Sequence, residues 1–78
     1  MGKFYRANKE LGEYLVELGL TFHDREESDV KYYTDHTSGK QVKINTENRL
    51  VTFLDSQGEP VDYSSSFTDN QINKFLEN

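Results

Sequence analysis

The chain has 78 residues and a net charge of −5, with 14 acidic residues against nine lysines and arginines. This length is near the lower limit for one hydrophobic core and predicts one small domain over residues 1–78. The chain has no cysteine, which excludes a disulfide framework and gives no sign of an oxidising compartment. The acidic balance argues against an ordinary nucleic-acid binder, since such proteins present a net basic surface.

No apolar run approaches the roughly 20 residues that a membrane-spanning helix needs. The first ten residues, MGKFYRANKE, also lack the apolar stretch of a secretory signal. We therefore expect a soluble, cytoplasmic protein that has no membrane partner.

The first predicted element is an amphipathic helix over residues 8–18, where apolar residues of ANKELGEYLVELGL recur at helical spacing. Asn8 suits the N-cap, and Gly19 followed by Leu20 is typical of a helix end at which glycine takes a left-handed conformation. Gly12 costs about 1 kcal/mol relative to alanine inside a helix. It indicates either the close approach of a neighbouring element or a tolerated defect.

Strands are predicted next, at LTF, VKYYT, QVKIN, RLVTFL and VDY, separated by the polar turns HDREESD, DHTSGK, TENR and DSQGEP. Consecutive strands joined by short turns predict an antiparallel meander. In an extended VKYYT segment the two tyrosines point to opposite faces, and we expect Tyr32 to face inward and Tyr33 outward.

The last predicted element is a helix that starts at Asp69. Thr68 and Gln71 match the capping box, in which each residue's side chain accepts a hydrogen bond from the other's backbone. Phe67 and Ile72 occupy the two positions of a hydrophobic staple. Together these four residues predict the helix start.

These elements predict an α+β fold in which an N-terminal and a C-terminal helix pack on one face of a small single-layer antiparallel β-meander. The meander has three to five strands, and the element order is α-β-β-β-β(-β)-α. The predicted core consists of Leu11, Tyr14, Leu15, Leu18, Phe22, Val30, Tyr32, Val42, Ile44, Val51, Phe53, Ile72, Phe75 and Leu76.

No motif predicts catalysis, a cofactor or a metal. The polar residues of DHTSGK are those a hairpin turn requires, which leaves only His36 over. His23 lies near three acids, Asp24, Glu26 and Glu27, but these belong to a polar turn and the two histidines lack metal-ligand spacing. We therefore expect a non-enzymatic protein.

The favoured function is a protein-interaction or regulatory module whose partner is an unknown protein or a second copy of the chain. Aromatic and cationic side chains on a sheet suit a protein interface, and leucines opposite the predicted core face would otherwise be exposed. An ordinary solvated sheet face is the alternative interpretation. The candidate interaction surface consists of Lys31, Tyr33, Lys43, Leu50 and Leu54.

A second function class concerns nucleic acid. Direct binding would use the basic central hairpin, with a tyrosine stacking on a base and Lys31, Lys40 and Lys43 on phosphates. Imitation would use the acid-rich segment 10–29, which carries seven acids against Arg25 alone, to occupy the cationic groove of a phosphate-binding enzyme. Nucleic acid is the less favoured partner.

Overall fold

A computed structural model of the chain, which describes residues 2–25 and 27–77, shows a small α+β fold with two helices and two antiparallel sheets. The larger sheet is a five-stranded meander in the order β2-β3-β4-β5-β6, as predicted, and the smaller pairs β1 with β7. The elements are β1 Phe4–Arg6, α1 Lys9–Glu17, β2 Thr21–His23, β3 Val30–Thr34, β4 Gln41–Asn45, β5 Leu50–Leu54, β6 Pro60–Ser64, β7 Ser66–Thr68 and α2 Asp69–Glu77.

Both ends of α1 are those that the sequence predicts. The Asn8 side chain accepts a hydrogen bond from the Leu11 backbone N–H at 3.3 Å, which satisfies a donor that the first turn leaves unpaired. At the other end Gly19 has a φ of 98°, and the Leu20 N–H donates to the Leu15 carbonyl at 3.0 Å. This bond belongs to a Schellman motif, which directs the buried Leu20 back onto the core.

Gly12 lies in α1 because a tyrosine from the sheet approaches the helix backbone there. A Cβ atom at position 12 would overlap the Tyr33 hydroxyl and lie 3.1 Å from Tyr33 Cζ. Of the two explanations that the sequence leaves open for this glycine, the structure supports the close approach of a neighbouring element.

The start of α2 confirms the predicted capping box. The Thr68 N–H donates to Gln71 Oε1 at 2.8 Å, and the Gln71 N–H donates to Thr68 Oγ1 at 3.2 Å. Phe67 and Ile72, the two staple residues, are both buried. The helix begins at Asp69, as predicted.

The two-stranded sheet of β1 and β7 is a feature that the sequence analysis missed. Its register places Tyr5 opposite Phe67, and both side chains are buried. Each strand has only three residues, which is too short for an alternating pattern to stand out. The pairing joins the two ends of the described chain, so it depends on tertiary contacts that no local signal encodes.

The core connects both helices and both sheets. Phe53 is central to it, because its ring stacks on Phe67 with centroids 4.0 Å apart and on Phe75 with centroids 4.4 Å apart. The buried cluster consists of Tyr5, Ala7, Leu11, Leu15, Leu20, Tyr33, Val42, Ile44, Val51, Phe53, Phe67 and Ile72, with Tyr14, Phe75 and Leu76 packed against it.

Four predicted core residues lie elsewhere. Leu18 and Phe22 are 37% and 42% exposed, since Leu18 is the C-cap of α1 and Phe22 lies on an edge strand. Val30 is only half-buried at the start of β3. The prediction that Tyr32 faces inward is wrong: Tyr33 is buried and Tyr32 is on the other face. Because β3 carries a tyrosine on each face, its alternation did not distinguish inside from outside.

Each helix has nine residues. Over residues 2–25 and 27–77, no helix has the length and apolar character needed to cross a bilayer.

Candidate interaction surface

The register of the five-stranded sheet defines two faces by rows of directly opposed residues. One row runs through the buried Tyr33, Val42 and Phe53, which places it on the core side. The neighbouring row alternates to the other side because successive residues of a strand point in opposite directions. We call this other side the outer face, and its central row is His23, Tyr32, Lys43, Thr52 and Tyr63.

The outer face carries no carboxylate at any paired strand position. This composition is unusual for a chain with 14 acidic residues and a net charge of −5. Lys43 supplies a positive charge, and the tyrosines, leucines and one proline supply apolar surface. The outward positions are Thr21, His23, Val30, Tyr32, Thr34, Gln41, Lys43, Asn45, Leu50, Thr52, Leu54, Pro60 and Tyr63.

Tyr32 lies between two cations at the centre of this face. The Arg25 guanidinium carbon is 3.9 Å from the ring centroid, and Lys43 Nζ is 5.8 Å from it. Arg25 is held in place by a second contact, because its Nη2 donates to Gln41 Oε1 at 3.5 Å. Both cations lie over the ring, so Tyr32 combines aromatic surface with positive charge at the centre of the outer face.

Two leucines of β5 continue the surface beside Tyr32. Leu50 is half-buried, whereas Leu54 is buried next to Pro60 and the turn at residues 55–59. Asp55 fixes that turn by accepting hydrogen bonds from the Gln57 and Glu59 N–H groups at 2.9 Å. The result is a shallow hollow of about 640 Å³, whose lining includes Arg25, Tyr32, Lys43, Leu50, Leu54 and Tyr63.

The structure brings together three of the five residues that the sequence assigned to the candidate surface. Lys43, Leu50 and Leu54 all line the hollow. Lys31 and Tyr33 lie instead on the core side, in rows with Ile44 and Val42. Lys31 is exposed there and Tyr33 is buried. The expectation of an outward Tyr33 is therefore wrong, because the two faces of β3 were interchanged in the prediction. Burial also raises the pKa of the Tyr33 phenol above its ordinary value.

Sequence reasoning missed three residues of the outer face. Tyr32 was assigned to the core, Arg25 lies in the segment after β2, and Tyr63 lies on the edge strand β6. Tyr63 is 67% exposed. Acid content gave no signal for the face of Tyr32, since VKYYT, QVKIN and LVTFL contain no acid on either set of alternate positions.

None of the described acids of segment 10–29 stands at an outward position of the sheet, although Thr21 and His23 of the same segment do. Glu10, Glu13 and Glu17 are exposed along α1, and Lys3 Nζ lies 2.9 Å from Glu10 Oε2 in an exposed ion pair. The other acids of the segment follow β2 in the chain, where Asp24, Glu27 and Asp29 are exposed, and Glu26 lies outside the described residues. Negative charge is therefore concentrated on α1 and this loop.

The segment 35–40 is the β3–β4 hairpin turn, as predicted. Asp35 accepts hydrogen bonds from the Thr37 N–H at 3.2 Å and from Ser38 Oγ at 2.9 Å, and Gly39 has a φ of 79°. His36 Nε2 lies 2.6 Å from Thr21 Oγ1, which ties this turn to β2. Among the residues that the structure describes, no three His, Cys, Asp or Glu side chains converge as metal ligands would.

Comparison of the chain with protein-family models, with curated proteins and with solved structures finds no match. The outer face is therefore interpreted from its own chemistry.

Proposed function

We propose that this chain is a small, non-enzymatic binding module whose outer face contacts an acidic, partly apolar segment of a partner protein. The observation that carries the proposal is Tyr32 in contact with Arg25 and Lys43, on a sheet face that has no carboxylate at its described paired strand positions. Such a face attracts negative charge and buries aromatic and leucine side chains at its centre, where binding energy concentrates in protein interfaces.

We further infer that both helices cover the opposite face of a single-layer sheet, which leaves the outer face accessible to a partner. The proposal includes a soluble protein acting in the cytoplasm, as the composition led us to expect. The groups that line the hollow favour binding over catalysis, since Tyr32, Leu50 and the two cations supply contact area and charge, whereas the paired hydroxyl and imidazole of Thr21 and His36 lie outside its lining.

The small number of cations on the outer face favours a protein partner over nucleic acid. Two cations neutralise about two phosphates, whereas tight nucleic-acid binding uses roughly six to ten such contacts. Leu50 and Pro60 contribute apolar area that a protein partner can cover.

Charge reversal at two lysines tests which face binds. We expect Lys43→Glu to reduce the partner recovered with a tagged full chain by about tenfold or more, because it places an acid against the acidic partner. Lys31→Glu is the matched control, since it makes the same change on the core side of the sheet. Equal recovery with both variants would contradict the proposal, and circular dichroism must show both to be folded.

A second copy of the chain, or nucleic acid, remains the alternative occupant of this face. In a dimer, Glu13 and Glu17 on α1 of one copy would supply the negative charge that the outer face of the other copy attracts. In a complex with nucleic acid, Tyr32 would stack on a base. Sedimentation velocity at low salt, with and without single-stranded DNA, separates these cases. We expect a monomer unaffected by DNA. Dimerisation with rising concentration would identify a second copy, and co-sedimentation lost in Tyr32→Ala would identify nucleic acid.

A further inference from the structure

A second cleft lies beside the β4–β5 turn, away from the outer face. Its volume is about 540 Å³, and it shares no lining residue with the hollow around Tyr32. Two arginines line it, and no acidic residue does. Its lining consists of Arg6, Ala7, Asn8, Thr46, Arg49, Ser65 and Ser66.

Both arginines of this cleft lack an acidic partner. The one salt bridge found within residues 2–25 and 27–77 joins Lys3 to Glu10, so neither Arg6 nor Arg49 has a described carboxylate within 4.0 Å. Both side chains are exposed. In a chain with more acids than bases, two arginines lining one cleft without a carboxylate create a local excess of positive charge.

Arg49 occupies a backbone position that favours glycine. Its φ is 59°, and within the described part of the chain every other residue with positive φ is a glycine. A side chain with a Cβ adopts this left-handed conformation at a cost, which glycine avoids and asparagine reduces. An arginine here is therefore not explained by the turn itself, and it adds a guanidinium to the cleft.

Secondary structure holds the other polar groups of the cleft in position. Arg6 is directly opposite Ser66 in the β1–β7 pair. Thr46 is anchored to the loop before β3, because its N–H and its Oγ1 donate to the Asp29 carbonyl at 2.8 and 3.2 Å. Ser65 and Ser66 line the same space. Arginine guanidinium groups and serine hydroxyls are the kinds of donor that bind the oxygens of a doubly charged tetrahedral anion.

We propose that the cleft formed by Arg6, Arg49, Ser65 and Ser66 binds a phosphoryl group, in which the guanidinium groups and the serine hydroxyls donate to the phosphoryl oxygens. The group belongs to a phosphate monoester, either on a small molecule or on a lipid headgroup. This site is independent of the protein contact at the outer face.

The test is thermal unfolding of the full chain with inorganic phosphate against chloride at equal ionic strength. A ligand that binds the folded state raises the melting temperature as its concentration passes the dissociation constant. We expect a saturable rise in the wild type that is lost in Arg49→Gly. This variant should fold well, with a melting temperature in chloride at or above that of the wild type, because glycine suits a φ of 59°.

Two further variants and a vesicle experiment complete the test. Arg6→Gln should also lose the phosphate response, whereas Arg25→Gln should keep it, since Arg25 lies in the other hollow. Co-sedimentation with phosphatidate vesicles that is lost in Arg49→Gly, without a response to inorganic phosphate, would assign the site to a lipid headgroup. An equal phosphate response in the wild type and Arg49→Gly would overturn the proposal, as would no response to either probe.

Discussion

Replacing Phe53 by alanine is expected to lower the free energy of unfolding by about 3–5 kcal/mol. The ring of Phe53 stacks on Phe67 from β7 and on Phe75 from α2, so its removal opens the contact between the sheet, the two-stranded ribbon and the last helix. A domain of this size has a total stability of about 4–12 kcal/mol. We therefore expect urea unfolding, monitored by circular dichroism, to show a variant that has lost a large fraction of the wild-type stability and unfolds at a much lower urea concentration.

Phe4→Ala is the matched control for this experiment. Phe4 has the same side chain, but it is 67% exposed on β1, so its removal should change stability by no more than about 0.5 kcal/mol. Equal urea midpoints for the two variants would show that the aromatic stack around Phe53 does not hold the fold together.

Replacing Gly12 by alanine is expected to destabilise the fold by about 1–3 kcal/mol, the range for inserting an atom into a packed site. The sign of the change in stability distinguishes the two effects, because helix propensity alone predicts that alanine stabilises α1 by about 1 kcal/mol. The new Cβ would overlap the Tyr33 hydroxyl, and a shift of the buried Tyr33 ring would disturb its packing against Phe22, whose ring centroid is 5.4 Å away.

A double-mutant cycle isolates this contact. Tyr33→Phe removes the hydroxyl that the Cβ would meet, so Gly12→Ala should cost less in the Tyr33→Phe background than in the wild type, by about 0.5 kcal/mol or more. A Gly12→Ala variant that is about 1 kcal/mol more stable than the wild type would contradict the close approach of Tyr33 to α1.

The helices could be predicted from the sequence because their ends carry local signals. Asn8 with Gly19, and Thr68 with Gln71, specify helix boundaries through hydrogen bonds within a few residues of each other. The three central strands were predictable as well, because each alternates over five residues and is joined to the next by a polar turn.

The features that the sequence did not reveal depend on distant contacts. The β1–β7 pair brings together residues 60 to 64 positions apart, and its strands are too short to show a period. The orientation of β3 could not be predicted from the sequence, because each face of the strand carries one tyrosine. The buried one, Tyr33, is the one that lies against Gly12 and opposite Val42. That error moved Tyr32 out of the candidate surface and Tyr33 into it.

The candidate surface was therefore predictable in part. Lys43, Leu50 and Leu54 were grouped correctly, because β4 and β5 each have one clearly apolar set of alternate residues, which fixes their outward positions. Arg25 could not be assigned, since it lies outside any strand and reaches the surface through its contacts with Tyr32 and Gln41. The direction in which a loop side chain points cannot be predicted from a periodic sequence pattern, because a loop has no such pattern.

The central claim is that the outer face contacts a protein. Site-specific photocrosslinking, carried out in cells that naturally make this protein, tests it most directly. A photoreactive phenylalanine analogue replaces Tyr63 on the outer face or, as a control, Phe4 on β1; both side chains are aromatic and 67% exposed. The account predicts one discrete, protease-sensitive adduct from position 63 that is absent from position 4. Equal adducts from both positions, or an adduct at position 63 that nuclease removes, would contradict it.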